Sequence, residues 1–110
     1  MRKLIIAIAL LIILLVSCKP EDSTFLIKVS GTEGLFFSGS YMTTTVNGQV
    51  TSKSVEGIIP AQYSVKGMMV SATFQKDAED GYLKVEIFKD GEIIADEHTI
   101  ADYGLVSIAA

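Results

Sequence analysis

The pattern of apolar and polar residues divides the chain into two parts. Residues 4–16 form an unbroken run of 13 apolar side chains, and Arg2 and Lys3 precede it. From residue 25 onward, apolar and polar residues instead alternate in short segments. Alternation with a period of two is typical of β-strands with one buried face. We therefore expect an apolar leader followed by a series of strands.

The leader has the layout of a secretory signal peptide, with a basic head, an apolar core and a small residue at its end. A transmembrane helix is the alternative, but it needs about 20 apolar residues to cross a hydrocarbon core about 30 Å thick. The apolar run of 13 residues is too short, and charged residues and a proline follow it at positions 19–22. We predict that residues 1–17 are a signal peptide that is cleaved from the mature chain.

The junction Leu15-Val16-Ser17-Cys18 resembles the bacterial lipobox. The resemblance implies cleavage between Ser17 and Cys18, a diacylglycerol on the Cys18 thiol, and acylation of the new amino group by a chain such as palmitate. An ordinary signal peptide followed by an incidental cysteine is the alternative. Because two or more acyl chains anchor a protein stably where one is marginal, we expect a protein tethered to the membrane without spanning it.

Residues 18–24 are polar and are predicted to be a flexible lipidated tether, and residues 25–110 are predicted to be the folded domain. Alternation and turn residues predict eight strands, at residues 25–29, 35–46, 49–55, 62–65, 68–75, 82–89, 92–99 and 105–108. Short strands with turns at this spacing indicate an all-β fold, a small antiparallel immunoglobulin-like β-sandwich of 7–8 strands. A small closed barrel is the alternative.

Two hairpins set strand registers in this prediction. Asn47-Gly48 and Asp90-Gly91 are typical of two-residue type I′ turns, in which both residues have positive φ. The first turn would place Thr45 opposite Val50. The second would place Lys89 opposite Glu92 and Lys84 opposite Glu97, so that opposite charges face each other.

The second register also creates a conflict. Leu83, Val85, Ile87 and Ile94 would point into the core, but Asp96 and His98 would share that face. The conflict disappears if these two residues lie at the rim of the sheet or if a β-bulge turns them outward.

The composition of the mature chain excludes several classes of function. Residues 18–110 contain seven Lys, no Arg and 13 acidic residues, which gives a side-chain charge of −6. Nucleic-acid binding depends on Lys and Arg neutralising phosphates, so we expect no nucleic-acid partner. Cys18 is the only cysteine, so the domain has no disulfide and its core alone must hold it together.

No group of residues has the spacing of a catalytic or metal site. Asp96 and His98 could form a pair on a strand, but no serine is spaced to serve as their nucleophile. The acidic loop at residues 76–81 fails the EF-hand spacing and is predicted to be a solvated turn, with weak divalent binding as the alternative. We expect a non-enzymatic protein without catalytic residues, metal or cofactor.

The segment at residues 38–54 carries eight Ser or Thr residues. An exposed ribbon of this kind would suit a protein partner or a glycan, whereas a strand pair with solvated hydroxyls is the plainer interpretation. The candidate partner surface consists of Tyr41, Met42, Thr43 and Thr45.

The domain resembles the periplasmic domain of the mycobacterial small membrane transport-accessory proteins. The motifs that carry the resemblance are Ser40-Tyr41-Met42, Pro60, Val70-Ser71-Ala72, Asp90-Gly91-Glu92-Ile93-Ile94-Ala95-Asp96 and Tyr103-Gly104-Leu105-Val106. The chain departs from that family in having Ala61 where the family has Trp, in lacking a cysteine pair, and in having a lipobox in place of a membrane helix. The resemblance implies a sandwich fold and a role accessory to an envelope transporter.

These features together predict an exported lipoprotein of the bacterial cell envelope. Its sandwich would be a non-catalytic interaction module with an envelope protein partner, and a surface that binds a small ligand or glycan is the alternative. Lys19 after the cysteine resembles lipoproteins sent to the outer membrane, whereas Glu21-Asp22 resembles signals for surface export. We therefore expect the outer membrane, with the domain on either its periplasmic side or the cell-surface side.

Overall fold

The computed structural model describes residues 21–110, and they fold into eight strands. The strands are β1 (Ser23–Gly31), β2 (Phe36–Thr44), β3 (Val50–Ile58), β4 (Ala61–Gly67), β5 (Met69–Lys76), β6 (Leu83–Lys89), β7 (Glu92–Thr99) and β8 (Leu105–Ala109). The predicted leader and the lipobox lie outside the described residues. β1 begins at Ser23, so the last two residues of the predicted tether belong to the sheet.

The strands form two antiparallel sheets of four strands each. The first sheet has the order β4-β1-β6-β7 and the second has the order β3-β2-β5-β8. Only the β2–β3 and β6–β7 connections stay within a sheet, and the others cross between the sheets. The prediction of an antiparallel β-sandwich of 7–8 strands is confirmed, with eight strands in two layers.

Alternate residues of the strands meet between the sheets and form one core. In β1, for example, Phe25, Ile27 and Val29 are buried while Lys28 between them is exposed. Within the second sheet, the inward-facing rings of Phe37 on β2 and Phe74 on β5 pack edge to face with centroids 5.6 Å apart. Aromatic pairs prefer this geometry because the positive edge of one ring meets the negative face of the other.

The β2–β3 connection differs from its predicted form. Thr44, not Thr45, lies opposite Val50, so the predicted register is wrong by one residue. Gly48 has a φ of 81°, but Asn47 does not have a positive φ, so the turn is not type I′. Instead the Gly48 N–H donates to the Thr45 carbonyl over 2.9 Å, and a longer loop with glycine in the left-handed region joins the strands.

The β6–β7 turn has its predicted form. Asp90 and Gly91 have φ values of 54° and 80°, as a type I′ turn requires. Lys89 lies opposite Glu92, as the sequence predicted.

Further along the same hairpin, a β-bulge changes the register. Ile93 lies opposite Phe88 and Ala95 lies opposite Ile87, which leaves Ile94 as the extra residue. Ile94 is 45% exposed, so its predicted place in the core is wrong. The predicted pairing of Lys84 with Glu97 is also wrong, because Lys84 lies opposite His98. The bulge turns Asp96 and His98 away from the core, and it places Glu97, which stays exposed on this edge strand, opposite the buried Val85.

Candidate functional site on the outer face of the second sheet

The outer faces of the two sheets differ in charge. On the first sheet, the registers place charged or titratable side chains on the outer face, namely Lys28, Lys66, Lys84, Glu86, Asp96 and His98. On the second sheet, Glu56 is the one charged residue at an outward position of the four strands. Glu56 is therefore the one acidic residue on the outer face of these four strands, although the chain as a whole is acidic.

Hydroxyl side chains occupy the middle of that outer face. We call this surface the hydroxyl face, and its members are Ser38, Ser40, Ser52, Ser54, Ser71, Thr73 and Ser107. Four of its members form one row across the sheet in the order Ser54, Ser40, Thr73 and Ser107, each opposite the next. Neighbouring strands lie about 4.8 Å apart, so the row presents hydroxyls at regular intervals. The hydroxyls of Thr73 and Ser107 are 3.3 Å apart and share a hydrogen bond.

Exposed apolar side chains border the hydroxyl face at both ends. At the end remote from residue 21, Phe36 lies opposite Ile58, and the two side chains are 58% and 49% exposed. They line a shallow depression of about 440 Å³ together with Glu56, Asp77 and their neighbours. Leu105, on β8, is exposed at the same end of the sheet. The face thus combines a polar, uncharged centre with an apolar border.

The structure separates the four residues of the predicted partner surface. Met42 lies on the outer face and is 42% exposed, but Tyr41 and Thr43 point inward because side chains alternate along β2. Thr43 is buried. Thr45 lies in the turn after β2, where its Oγ1 accepts a hydrogen bond from the Gln49 N–H over 3.2 Å. Of the four, only Met42 adjoins the hydroxyl face.

Tyr41 belongs to an aromatic cluster at the margin of the core. Its ring centroid is 5.4 Å from that of Tyr63, which in turn stacks on Phe74 at 6.3 Å. Burial, and secondarily the neighbouring Tyr41 phenol, raises the pKa of Tyr63 above its usual value of 10.0. The two tyrosines therefore serve packing between the sheets.

The predicted solvated loop at residues 76–81 contains a buried lysine that the sequence pattern did not reveal. Lys76 is fully buried at the end of β5. Its Nζ donates to the carbonyls of Gly81 at 2.8 Å and of Glu79 and Ile100 at 3.3 Å each. The ammonium group thus ties together the β5–β6 and β7–β8 loops. Only the position of Lys76 on the inward side of β5 could have suggested this role.

Asp96 and His98 lie on the charged outer face of the first sheet. His98 is exposed, and its ring centroid is 5.4 Å from that of Tyr82. Asp96 lies opposite Glu86, so the strand pairing places two carboxylates side by side. Within residues 21–110, no group of three or more His, Cys, Asp or Glu side chains is placed to hold a metal ion.

The fold and this surface define the described part of the chain as a two-sheet antiparallel β-sandwich with one charged and one hydroxyl-bearing outer face. Comparison of the whole chain with protein-family models and with curated proteins finds no match. Among the described residues there is also no helix with the length and apolar character needed to cross a membrane.

Proposed function

We propose that this chain is a lipid-anchored protein of the bacterial cell envelope whose β-sandwich is a non-catalytic binding module. The lipobox-like junction at residues 15–18 supports the anchor. The short distance in sequence from Cys18 to β1, which begins at Ser23, supports a domain held close to the membrane. A role accessory to an envelope transporter is the more specific form of the proposal, and its support is the resemblance described above.

The outer face of the second sheet is the observation that carries the binding role. Interface centres are depleted in charged residues and in serine and are enriched in aromatic residues, so the low charge and the apolar border of this face support binding and its serines do not. This face has one charged residue in four strands, with the exposed side chains of Phe36 and Leu105 at its end remote from residue 21. Its edge strand β3 has nine residues, of which most are exposed, and its outer edge is unpaired in the sheet. We therefore assign the partner contact to the hydroxyl face and its apolar border.

Site-specific photocrosslinking in intact cells tests this assignment. A photoreactive residue at Ser54, where the row of hydroxyls begins on the edge strand β3, should give an adduct of one defined mass. The matched control is the same residue at Gln62, which is exposed on the outer face of the first sheet. The Ser54 adduct should disappear when Ser52→Arg places a bulky charge beside it. Identical adducts from both faces, or an adduct that survives Ser52→Arg, would contradict the assignment.

A second candidate function is the binding of a glycan by the same face, and the regular row of four hydroxyls favours it. Hydroxyl side chains can both donate and accept hydrogen bonds, which suits the hydroxyls of a sugar chain. Thermal unfolding in the presence of peptidoglycan fragments and envelope oligosaccharides tests this candidate. A rise in Tm that Thr73→Val abolishes would support it, and the absence of any rise across these sugars would remove it.

A further inference from the structure

Five exposed apolar side chains cluster at the end of the sandwich where residue 21 lies. We call this cluster the tether-end patch, and its members are Met42, Val46, Val50, Met68 and Met69, between 39% and 58% exposed. Thr44 joins them, because it lies opposite both Val50 and Met69 in the second sheet.

Two further contacts show that the patch is continuous. The Met68 N–H donates to the Thr44 carbonyl over 2.7 Å, which brings the β4–β5 turn against the end of β2. Met42 and Met69 line the same shallow depression of about 70 Å³. Met42 and Met69 are thus neighbours, and unbranched methionine side chains adapt to irregular apolar surroundings.

The chain enters the fold at this patch. A carboxylate oxygen of Asp22, Oδ1, accepts a hydrogen bond from the Val46 N–H over 2.8 Å, which fixes residue 22 beside the patch. Four Cα-to-Cα steps separate Asp22 from Cys18. At about 3.5 Å per residue they span at most about 14 Å. A lipid on Cys18 would therefore hold Asp22, and the patch beside it, within about 14 Å of the lipidated cysteine.

We propose that the tether-end patch inserts into the interfacial layer of the membrane that holds Cys18. This inference rests on the lipid anchoring proposed above. The tether makes the contact intramolecular, so that a weak apolar interaction suffices to orient the domain. Residues of both charges lie at this end of the first sheet. The lysines are Lys66 and Lys89, and the acidic residues are Asp22 and Asp90. Because these charges offset each other, the contact depends on burial of apolar side chains and not on attraction to anionic lipids.

Insertion of the patch has a consequence for the other end of the molecule. β1 runs away from the patch for nine residues, or about 30 Å at 3.3 Å per residue. Phe36 and Ile58 would then lie at the end of the domain farthest from the bilayer, and the hydroxyl face would stand upright where a membrane-bound partner can reach it. The lipid anchor would thus fix the orientation of the domain as well as its location.

Fluorescence quenching on the lipidated full chain tests the insertion. Because lipidation consumes the thiol of the chain's only cysteine, a Met69→Cys variant offers a single thiol for an environment-sensitive fluorophore. The labelled protein is reconstituted in phosphatidylcholine vesicles that carry a nitroxide on the lipid acyl chain. Leu105→Cys is the matched control, because Leu105 is 61% exposed on the same outer face at the opposite end. Lys89→Cys is the control for the same end on the first sheet.

We expect the Met69 probe to be quenched several-fold more than the other two probes, with a blue-shifted emission that added salt does not reverse. Met68→Cys provides a second probe of the patch and should behave in the same way. Equal quenching at Met69 and Leu105, or at Met69 and Lys89, would overturn the insertion. If the intact mass of the same protein shows an acylated Cys18, the proposal of a lipid anchor still stands. An unacylated Cys18 would overturn both proposals.

Discussion

At the scale of single residues, Lys76 shows how a charged side chain can serve a core. Burying an ammonium group is costly unless its hydrogen bonds are replaced. Lys76 replaces them with the carbonyls of Glu79, Gly81 and Ile100, which come from two different loops. The side chain therefore joins segments that are distant in sequence at the end remote from residue 21.

Replacement of Lys76 by methionine tests this role. The apolar part of the side chain is retained, but the carbonyls of Glu79, Gly81 and Ile100 lose their donor. We expect Lys76→Met to lower the free energy of unfolding by about 3 kcal/mol, as measured by urea denaturation. The control is Lys53→Met, at an exposed position of β3, which should change stability by less than about 0.5 kcal/mol. Equal stability of the two variants would contradict the role assigned to Lys76.

At the scale of the elements, two turns that are alike in sequence differ in backbone. Both consist of an acidic or amide residue followed by glycine, and type I′ geometry suits either pair. Asp90 and Gly91 adopt it, whereas only Gly48 has a positive φ in the other turn. The same kind of dipeptide therefore forms a two-residue turn between β6 and β7 and part of a longer loop between β2 and β3.

Valine substitution distinguishes the two turns. A β-branched side chain is strained at positive φ, so Asp90→Val should destabilise the domain by about 1–2 kcal/mol. Asn47→Val, in the turn where the first residue does not have positive φ, should cost less than about 0.5 kcal/mol. The measurement is again the midpoint of urea unfolding. Equal losses in the two variants would show that the turns share one geometry, against the structure.

Local patterns in the sequence predicted most of the strands, but they could not predict how the strands meet. The alternation around Phe25 and the Asp90-Gly91 turn are local signals, and the structure agrees with both. The bulge at Ile94 was foreseen only as one way to turn Asp96 outward, because its place depends on packing against β6.

The same limit applies to the candidate site. The hydroxyl-rich segment at residues 38–54 was recognised in the sequence, but half of the central row comes from Thr73 and Ser107 on β5 and β8. Pairings between segments so distant in sequence leave no local signal. The sequence also did not show which members of the segment face outward, since the one-residue change of register at the β2–β3 hairpin decides this for β3.

At the scale of the whole molecule, the two ends and the two outer faces differ in character. One end carries the methionine-rich tether-end patch beside the entering chain, and the other carries Phe36 and Ile58. Between them, one outer face is charged and the other presents hydroxyls. Our account assigns the first end to the membrane and the hydroxyl face with its far apolar border to the partner, so that anchoring and binding use separate surfaces.

The lipid anchor is the central claim, because the location and orientation of the domain depend on it. Intact-mass spectrometry of the protein purified from membranes of the cells that produce it tests this claim most directly. Our account predicts a chain that begins at Cys18, lacks residues 1–17, and carries the added mass of a diacylglycerol with or without a further acyl group. A chain that still begins at Met1, or a Cys18 without acyl mass, would contradict it.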